Sequence, residues 1–508
     1  MLSMAGLAAL PVILRLAMLP WHPMPSPDVY DEFGHLLVAD TLRHWRLANP
    51  PHALPQFFET FFVLQSPSYS SIYPIGQGLA LAVGWAVFGT PWAGVLLTTA
   101  AFCGLCYWML RGWTTPGWAL AGGLLAVIEF GPISSWTNSY WGGGYTAAAG
   151  CLVFGALPRL REYWRTRDAA LLGAGVGLHL LSRPFESVFL VISVGIFLAP
   201  EWKKARRSVV VAALVCLPAI AALLAQNKQV TGKWTTLPYA ESQYQYGVPA
   251  SFTFQAHPAP HRELTREQGL DYKMQRAFRA REYDNLSTYF ERLFYRIRYL
   301  RFFFYPALYL AIVAFLSGIK SFRPAWVAST LLLFALGTNF YPFFLPHYVA
   351  GVTCLFVLVS VEGLRRFNPT AARVLVYLCI IQFVFVFVTY SQRGPERRIE
   401  IDRQLARMPG KLLVLVRYWP NHIFQDEWVY NGADIDGSRV VWARDLGDAE
   451  NQKVMGYYPD RAVLLLEPDA RPPKLGPYRA EAPNKKEEKQ EERDDRKPPP
   501  KIVFEPIR

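Results

Sequence analysis

Pro27-Asp28-Val29-Tyr30-Asp31-Glu32-Phe33-Gly34-His35-Leu36-Leu37 closely follows the first apolar run of the chain, residues 2–20, and indicates the class of fold. An adjacent Asp31-Glu32 pair stands where a membrane helix would open into water. Carboxylates are costly near hydrocarbon and are kept there when they do chemistry. Apolar runs long enough to cross a bilayer fill most of the chain beyond this pair. Together these features point to a polytopic α-helical membrane enzyme whose base works at the lipid–water boundary.

Composition agrees. Of 508 residues, 52% are hydrophobic and 18% charged, against about 25% charged in soluble domains. The net charge of +13 does not imply nucleic acid, because the basic residues sit in short runs between apolar segments. Residues 2–20 contain Arg15 and lead into Trp21-His22-Pro23 without a small-residue cleavage site, so a retained first span is expected. All six cysteines fall in apolar stretches, which implies neither a disulfide framework nor a metal site; Cys103-x-x-Cys106 reads as packing.

A spanning helix needs about 20 mostly apolar residues. Eleven candidates are expected, at 2–20, 91–110, 116–131, 145–158, 168–182, 186–200, 208–226, 302–318, 324–343, 347–363 and 372–390. The basic clusters are Arg159/Arg161/Arg165/Arg167, Lys203/Lys204/Arg206/Arg207, Lys320/Arg323 and Arg365/Arg366/Arg373. Placing all of them in the cytoplasm puts Arg183, His347, residues 21–75 and residues 227–300 outside. It also requires that 76–89 not cross, since a crossing there would invert every later cluster. The N-terminus is then cytoplasmic and the C-terminus external.

Outside the membrane, Asp28 can cap a helix in which Phe33, Leu36, Leu37 and Leu42 share a face; such a helix should lie along the membrane surface. In 227–300, Pro249, Pro258 and Pro260 mark turns before a charge-rich helical stretch from about Glu263 to Tyr299. Beyond Tyr390 the composition changes. Residues 411–417, 439–442 and 461–466 read as buried strands and Asp448–Tyr457 as a helix, giving a small extracytoplasmic α/β domain over 396–480. The mixed-charge run 481–508 reads as a disordered tail.

The candidate chemistry lies on the external side. Transfer of a sugar from a lipid phosphate needs a carboxylate base for the acceptor hydroxyl and a cation for the departing phosphate. Asp31 or Glu32 supplies the base; an acidic first helical turn is the plainer reading of both. Arg183, in Arg183-Pro184-Phe185-Glu186, is the candidate phosphate ligand, and its pairing with Glu186 is compatible with that role. His347-Tyr348 could contact phosphate or sugar, or simply form part of the interfacial belt. Tyr140 and Trp141, in Asn138-Ser139-Tyr140-Trp141-Gly142-Gly143-Gly144, suit sugar stacking, with an interfacial turn as the alternative. Asp434-Ile435-Asp436 has the pattern of a nucleotide-sugar metal motif but reads as a turn.

The run PDVYDEFGHLLVADTLRHWRLANPPH (27–52), SSIYPIGQG (70–78) with Tyr73, and FLPHYVAG (344–351) resemble the GT-C glycosyltransferases, in particular the protein O-mannosyltransferases of family 39 and the lipid A aminoarabinose transferases. The resemblance covers residues 10–390 and implies a GT-C-like domain over 1–392. It further implies an inverting, metal-independent hexosyl- or pentosyltransferase of a bacterial inner membrane that uses a polyprenyl-phosphate sugar and no cofactor. Asp31 takes the position of the family's catalytic Asp, with Glu32 beside it. Where some relatives carry a Lys before a proline pair, this chain has Ile72 and then Ile75, so that phosphate contact is either missing or supplied by Arg183. The loop 132–144 holds no acid, which disfavours a divalent metal. No sugar-binding repeats occur in 227–300, which weighs against protein mannosylation. The acceptor stays open between glycan, lipid and protein.

Two other classes fit less well. A transporter or flippase for lipid-linked glycans should show charges along a path through the bundle; apart from residues at their very ends, the spans are almost free of charge, with Arg15, Glu129 and His179 the exceptions. An inactive scaffold would act through its C-terminal domain. Deleting 396–508 should separate the readings, because a transferase is expected to keep some chemistry without that appendage.

Overall fold

The computed structural model describes residues 2–279, 281–390 and 396–479. The tail expected over 481–508 lies outside the described residues. The membrane part holds helices α1 (Leu2–Ala17), α2 (Tyr30–Arg43), α3 (Ile75–Phe88), α4 (Pro91–Leu110), α5 (Pro116–Phe130), α6 (Gly144–Tyr163), α7 (Thr166–Ser182), α8 (Pro184–Leu198) and α9 (Trp202–Thr231). The long segment 227–300 adds α10 (Pro238–Tyr246), α11 (Arg266–Arg279) and α12 (Leu286–Arg296). The bundle closes with α13 (Leu308–Ser317), α14 (Phe322–Thr338), α15 (Thr353–Leu364) and α16 (Pro369–Thr389).

A helix stands at each of the eleven expected places, but the count of eleven spans needs correcting. Among the described residues, four helical segments are long and apolar enough to cross a membrane: Pro91–Leu110, Pro184–Thr231, Pro346–Leu364 and Pro369–Thr389. The second joins α8 to α9 through a single 3-10 turn, Ala199–Glu201. Several of the others, α1, α3, α5, α13 and α14 among them, are apolar but only 10–17 residues long, which at 1.5 Å per residue falls short of a 30 Å hydrocarbon core. Polytopic membrane architecture stands; its span count does not follow from apolar runs. All six cysteines are free and buried in helices of this bundle.

The basic clusters gather at one end of the bundle. Arg365 Nη1 donates to Thr114 Oγ1 at 3.2 Å, Arg366 Nη2 to Gly318 O at 2.7 Å, and the Arg161 guanidinium lies over the rings of Phe197 and Phe322. Both ends of α3 lie at the opposite end. Its Gly76 packs on the carbonyl of Leu181, and Trp92, just past its C-terminus, donates from Nε1 to Thr137 O at 2.9 Å. α3, one unbroken helix, therefore runs across that end without traversing the bundle. Close approach makes this possible: a Cβ on Gly94 would come within 2.1 Å of Ala80 O.

The C-terminal unit comprises α17 (Glu396–Arg407), strands β3 (Leu412–Val416), β4 (Val440–Arg444), β5 (Ala462–Glu467) and β6 (Lys474–Pro477), and α18 (Asp448–Tyr457); two short strands, β1 (Val63–Leu64) and β2 (Ser70–Ser71), lie in the segment 21–75. The four-stranded sheet has the order β4-β3-β5-β6, with β3 parallel to both β4 and β5, and β6 antiparallel. The continuous apolar runs Leu412–Val416 and Ala462–Leu466 fit strands covered on both faces. One face packs on α17 through Ile401 and Leu405. The other shares a core with the segment 21–75: Leu37, Phe57, Phe58, Val63 and Tyr69 pack with Leu413, Leu415, Val441 and Ala443. The unit is thus no appendage, and removing it would open a core common to both parts. For the same reason α2 does not lie free on a membrane surface. It is held between α3 and the sheet unit, with Asp40 Oδ2 accepting from Ala433 N at 2.8 Å.

Candidate functional site

α2 begins at Tyr30, and its start is closed by Glu32 rather than capped by Asp28. Glu32 Oε2 accepts from the backbone N–H of Asp28 at 2.8 Å and of Val29 at 3.3 Å. Its Oε1 accepts from Tyr140 N at 2.8 Å, tying loop 131–143 to the helix. The Glu32 carboxyl is therefore occupied by three backbone donors. Burial pushes it up to about 7, with those hydrogen bonds opposing.

Asp31, on the neighbouring face, points the other way. It is half-buried and accepts a hydrogen bond on Oδ1 from the Tyr73 hydroxyl. Tyr73 reaches it because residue 34 is glycine: a Cβ there would come within 2.7 Å of the Tyr73 ring. Burial pushes the Asp31 carboxyl up to about 6, while the Tyr73 hydroxyl and the Arg183 charge pull it down. One turn on, His35 lies against the Tyr73 ring at 4.4 Å. Burial, helped by Arg183, lowers its imidazole to about 3, so it stays neutral. His35 lies in the same short stretch as the acid pair, and its i, i+4 spacing from Asp31 is the signal that places it here.

Arg183, between α7 and α8, supplies the cation. Its guanidinium lies 4.7 Å over the Tyr348 ring and 4.0 Å from Glu186 Oε1, and it donates no hydrogen bond within the described residues. Most of its donor capacity is thus free for an anion. His347, just after Pro346, is buried, with its ring 5.5 Å from Trp141. Trp141 Nε1 is buried without a protein partner among the described residues, as is His35 Nδ1. Asp31, Tyr73, Arg183, Glu186, His347, Tyr348 and Trp141 are therefore brought together at the end of the bundle away from the basic clusters. Tyr140 is not part of this surface: it is buried, with its hydroxyl donating to Pro25 O at 2.9 Å.

Sequence reasoning missed three further groups. Asp271 on α11 is fully buried and close enough to Asp31 for the two charges to interact. Tyr30 lies between them electrostatically, its hydroxyl pushed well up by burial and by both carboxylates. Tyr430 from the C-terminal unit stacks on Phe33 with ring centroids 4.2 Å apart and planes 3° from parallel. Asp271 sits in the charge-rich helical stretch from about Glu263 to Tyr299, where its spacing does not set it apart from the other charges, and Tyr430 in a loop far away in sequence. Asp434-Ile435-Asp436 forms the expected turn: Asp434 Oδ1 accepts from Gly437 N at 3.0 Å, and Asp436 Oδ1 is engaged by His52 Nε2 at 3.1 Å. Among the described residues no three His, Cys, Asp or Glu side chains converge as a metal-ligand set.

By sequence, no protein-family profile and no curated protein matches the chain. Among solved structures it is similar to ArnT from Cupriavidus metallidurans in the apo state, at 11% identity and a TM-score of 0.54, covering 91% of this chain and 92% of that one. The chain has the GT-C fold. The likeness is not specific to the protein O-mannosyltransferases. ArnT from the same organism bound to undecaprenyl phosphate aligns over 74% of this chain and 62% of that one at 13% identity, with a TM-score of 0.44. The Archaeoglobus fulgidus oligosaccharyltransferase in complex with Zn and sulfate aligns over 82% of this chain at 12% identity and a TM-score of 0.48, and the chain spans 60% of its length.

Proposed function

We propose that this chain is a membrane glycosyltransferase that moves a sugar from a polyprenyl-phosphate donor to an extracytoplasmic acceptor hydroxyl. One observation carries the reading: a recessed carboxyl, Asp31, tuned to about 6 and held by Tyr73, faces a guanidinium, Arg183, whose donors are free. A base whose proton affinity lies near neutrality, beside a cation for a leaving phosphate, is what this transfer needs.

In the proposed step the acceptor oxygen attacks the anomeric carbon as its proton passes to Asp31. The bond from that carbon to the phosphate oxygen breaks, and the electron pair leaves with the polyprenyl phosphate. A single displacement inverts the anomeric configuration. Arg183, with His347 and Trp141 Nε1, stabilises the phosphate as it gains charge. Tyr348, under the guanidinium, fixes its direction. Glu32 acts as a positioning residue, since its carboxyl joins α2 to the loop carrying Trp141. The reaction is metal-independent in this reading, and the enzyme sits in a bacterial inner membrane with its N-terminus cytoplasmic and the site and C-terminal unit outside.

A transport path finds less support. Arg15 is satisfied within the bundle by Asn138 Oδ1 at 2.7 Å and by the carbonyls of His22 and Pro23, each at 2.9 Å, and His179 Nδ1 pairs with Ser187 Oγ at 2.7 Å. The test is incubation of the purified full chain with a panel of radiolabelled polyprenyl-phosphate sugars, with and without EDTA. Release of polyprenyl phosphate with EDTA present is expected for at least one donor. No release from any donor would refute the proposal.

A further inference from the structure

α11 is fastened to its surroundings along its inner face. Glu267 Oε2 takes a charge-assisted hydrogen bond from Arg444 Nη1 at 2.6 Å, and Gln268 Nε2 donates to Glu59 Oε2 at 3.1 Å. Gln275 Oε1 accepts from Ala250 N at 2.8 Å, and its Nε2 donates to Asp271 Oδ2 at 2.9 Å. Asp271 Oδ1 stands apart: the residue is fully buried, yet this oxygen has no hydrogen-bond partner among the described residues. An unpaired buried carboxyl oxygen is costly, and a ligand or a reaction that uses it is one of the reasons a native structure keeps one. Packing places it near the base: Tyr30, the residue before Asp31, shares an apolar cluster with Leu270 and Met274 on either side of Asp271, and the charges of Asp31 and Asp271 act on one another and on Tyr30.

The transferase reading leaves the acceptor open, and this inference rests on that reading. The site divides by charge. Arg183, His347 and Trp141 gather on one side, where a phosphate would sit. Asp31 and Asp271 stand on the other, and no arginine or lysine among the described residues contributes to the charge state of Asp271. An anionic acceptor would meet two carboxyls there. A neutral acceptor with several hydroxyls would satisfy both and lay its C–H faces on aromatic rings. The aromatic group beside the two acids is Tyr30 with Phe61 and Phe62, their ring centroids 5.5 and 5.0 Å from its own.

We propose that Asp271 is the acceptor-binding carboxyl, and that the acceptor is a neutral carbohydrate presenting one hydroxyl to Asp31 and another to Asp271. Asp271 remains bound throughout the transfer and exchanges no proton with the reacting oxygen. α11, fastened to the C-terminal unit through Glu267 and Arg444, sets its distance from the base.

The experiment uses the full chain in lipid nanodiscs. Saturation-transfer NMR measures binding of methyl glycosides of neutral hexoses and pentoses. Glucose 6-phosphate and a serine- and threonine-containing hexapeptide serve as the anionic and peptide probes. Hydrogen exchange of residues 266–279 is followed in parallel. At least one neutral glycoside should bind and slow exchange in α11. D271A should weaken that binding about tenfold, the effect of losing a hydrogen bond to a charged group. D271N, which keeps shape and removes a buried charge, should retain the native exchange pattern without ligand and lose the glycoside-induced protection. Unchanged glycoside binding in both variants would overturn the proposal, as would binding of the phosphorylated sugar or the peptide alone. Glycoside binding without turnover of any polyprenyl-phosphate donor would remove the transferase reading and with it the acceptor role. Donor turnover with binding indifferent to Asp271 would remove this inference alone.

Discussion

At the level of single residues, the proposed function divides the work between two adjacent carboxylates. Asp31 and Glu32 look equivalent as a dipeptide, but a helix turns neighbouring side chains about 100° apart, and only Asp31 meets Tyr73 and Arg183. Asp31→Asn should lower transfer by about 10²–10⁴-fold, the range for loss of a general base, with unchanged size-exclusion behaviour. The free-enzyme kcat/KM should rise with pH through about 6, since the base must be ionised and its carboxyl is held near that value. A profile flat between pH 5 and 7.5 would contradict this. Arg183→Ala should raise the donor KM by about ten- to a hundredfold, as expected for loss of a charge-assisted contact. The three carboxyls Asp31, Glu32 and Asp271 also affect stability. Asp31, Glu32 and Asp271 are held up by burial to about 6, 7 and 7, so the folded chain binds their protons more tightly than the unfolded chain. Their contribution is complete below the ordinary carboxyl values near 4 and is lost as pH rises through 6 to 7. Thermal unfolding should therefore come at higher temperature at pH 5 than at pH 8, and D271N should narrow the difference.

Among the elements, α2 and loop 131–143 form one device. Glu32 closes the start of α2 and grips Tyr140 N, Gln77 Nε2 donates to Tyr140 O at 3.2 Å, and Trp141 is thereby set beside His347. Gly143, at φ +112°, lies so close to Trp136 that a Cβ would come within 2.3 Å of its ring. Glu32→Ala leaves three backbone donors without their partner and should cost about 1–3 kcal/mol, read as a fall in melting temperature together with weaker donor binding. Much of this level is legible in the sequence. The acid pair and the apolar positions after it mark α2, the length of apolar runs marks the bundle helices, and the basic clusters require that 76–89 not traverse. The role of Glu32 is not legible, because a carboxylate reaching back to its own helix start and one facing a substrate share the same spacing.

Across the whole molecule, the membrane part and the sheet unit fold onto one another. Arg444 in β4 donates to Glu59 O at 2.6 Å and to Glu267 Oε2 at 2.6 Å, and also bonds Glu427. The segment 21–75, α11 and the C-terminal sheet meet at that one buried guanidinium. The strands of this unit can be read from their apolar runs, but its partner cannot, because packing between residues such as Leu37 and Leu415 leaves no periodicity in either segment. Removing one member of such a buried network strands the other charges and should cost about 3–5 kcal/mol. Arg444→Ala is thus expected to lower the melting temperature and to release α11 in hydrogen exchange, and deletion of 396–508 to abolish transfer rather than merely reduce it.

Single-turnover transfer from a radiolabelled polyprenyl-phosphate sugar, comparing wild type with Asp31→Asn in nanodiscs under matched folding controls, isolates the proton-removing step. A loss of at least about a hundredfold with donor still bound is the result expected if Asp31 removes the acceptor's proton. Near-normal release of polyprenyl phosphate by the variant would contradict it.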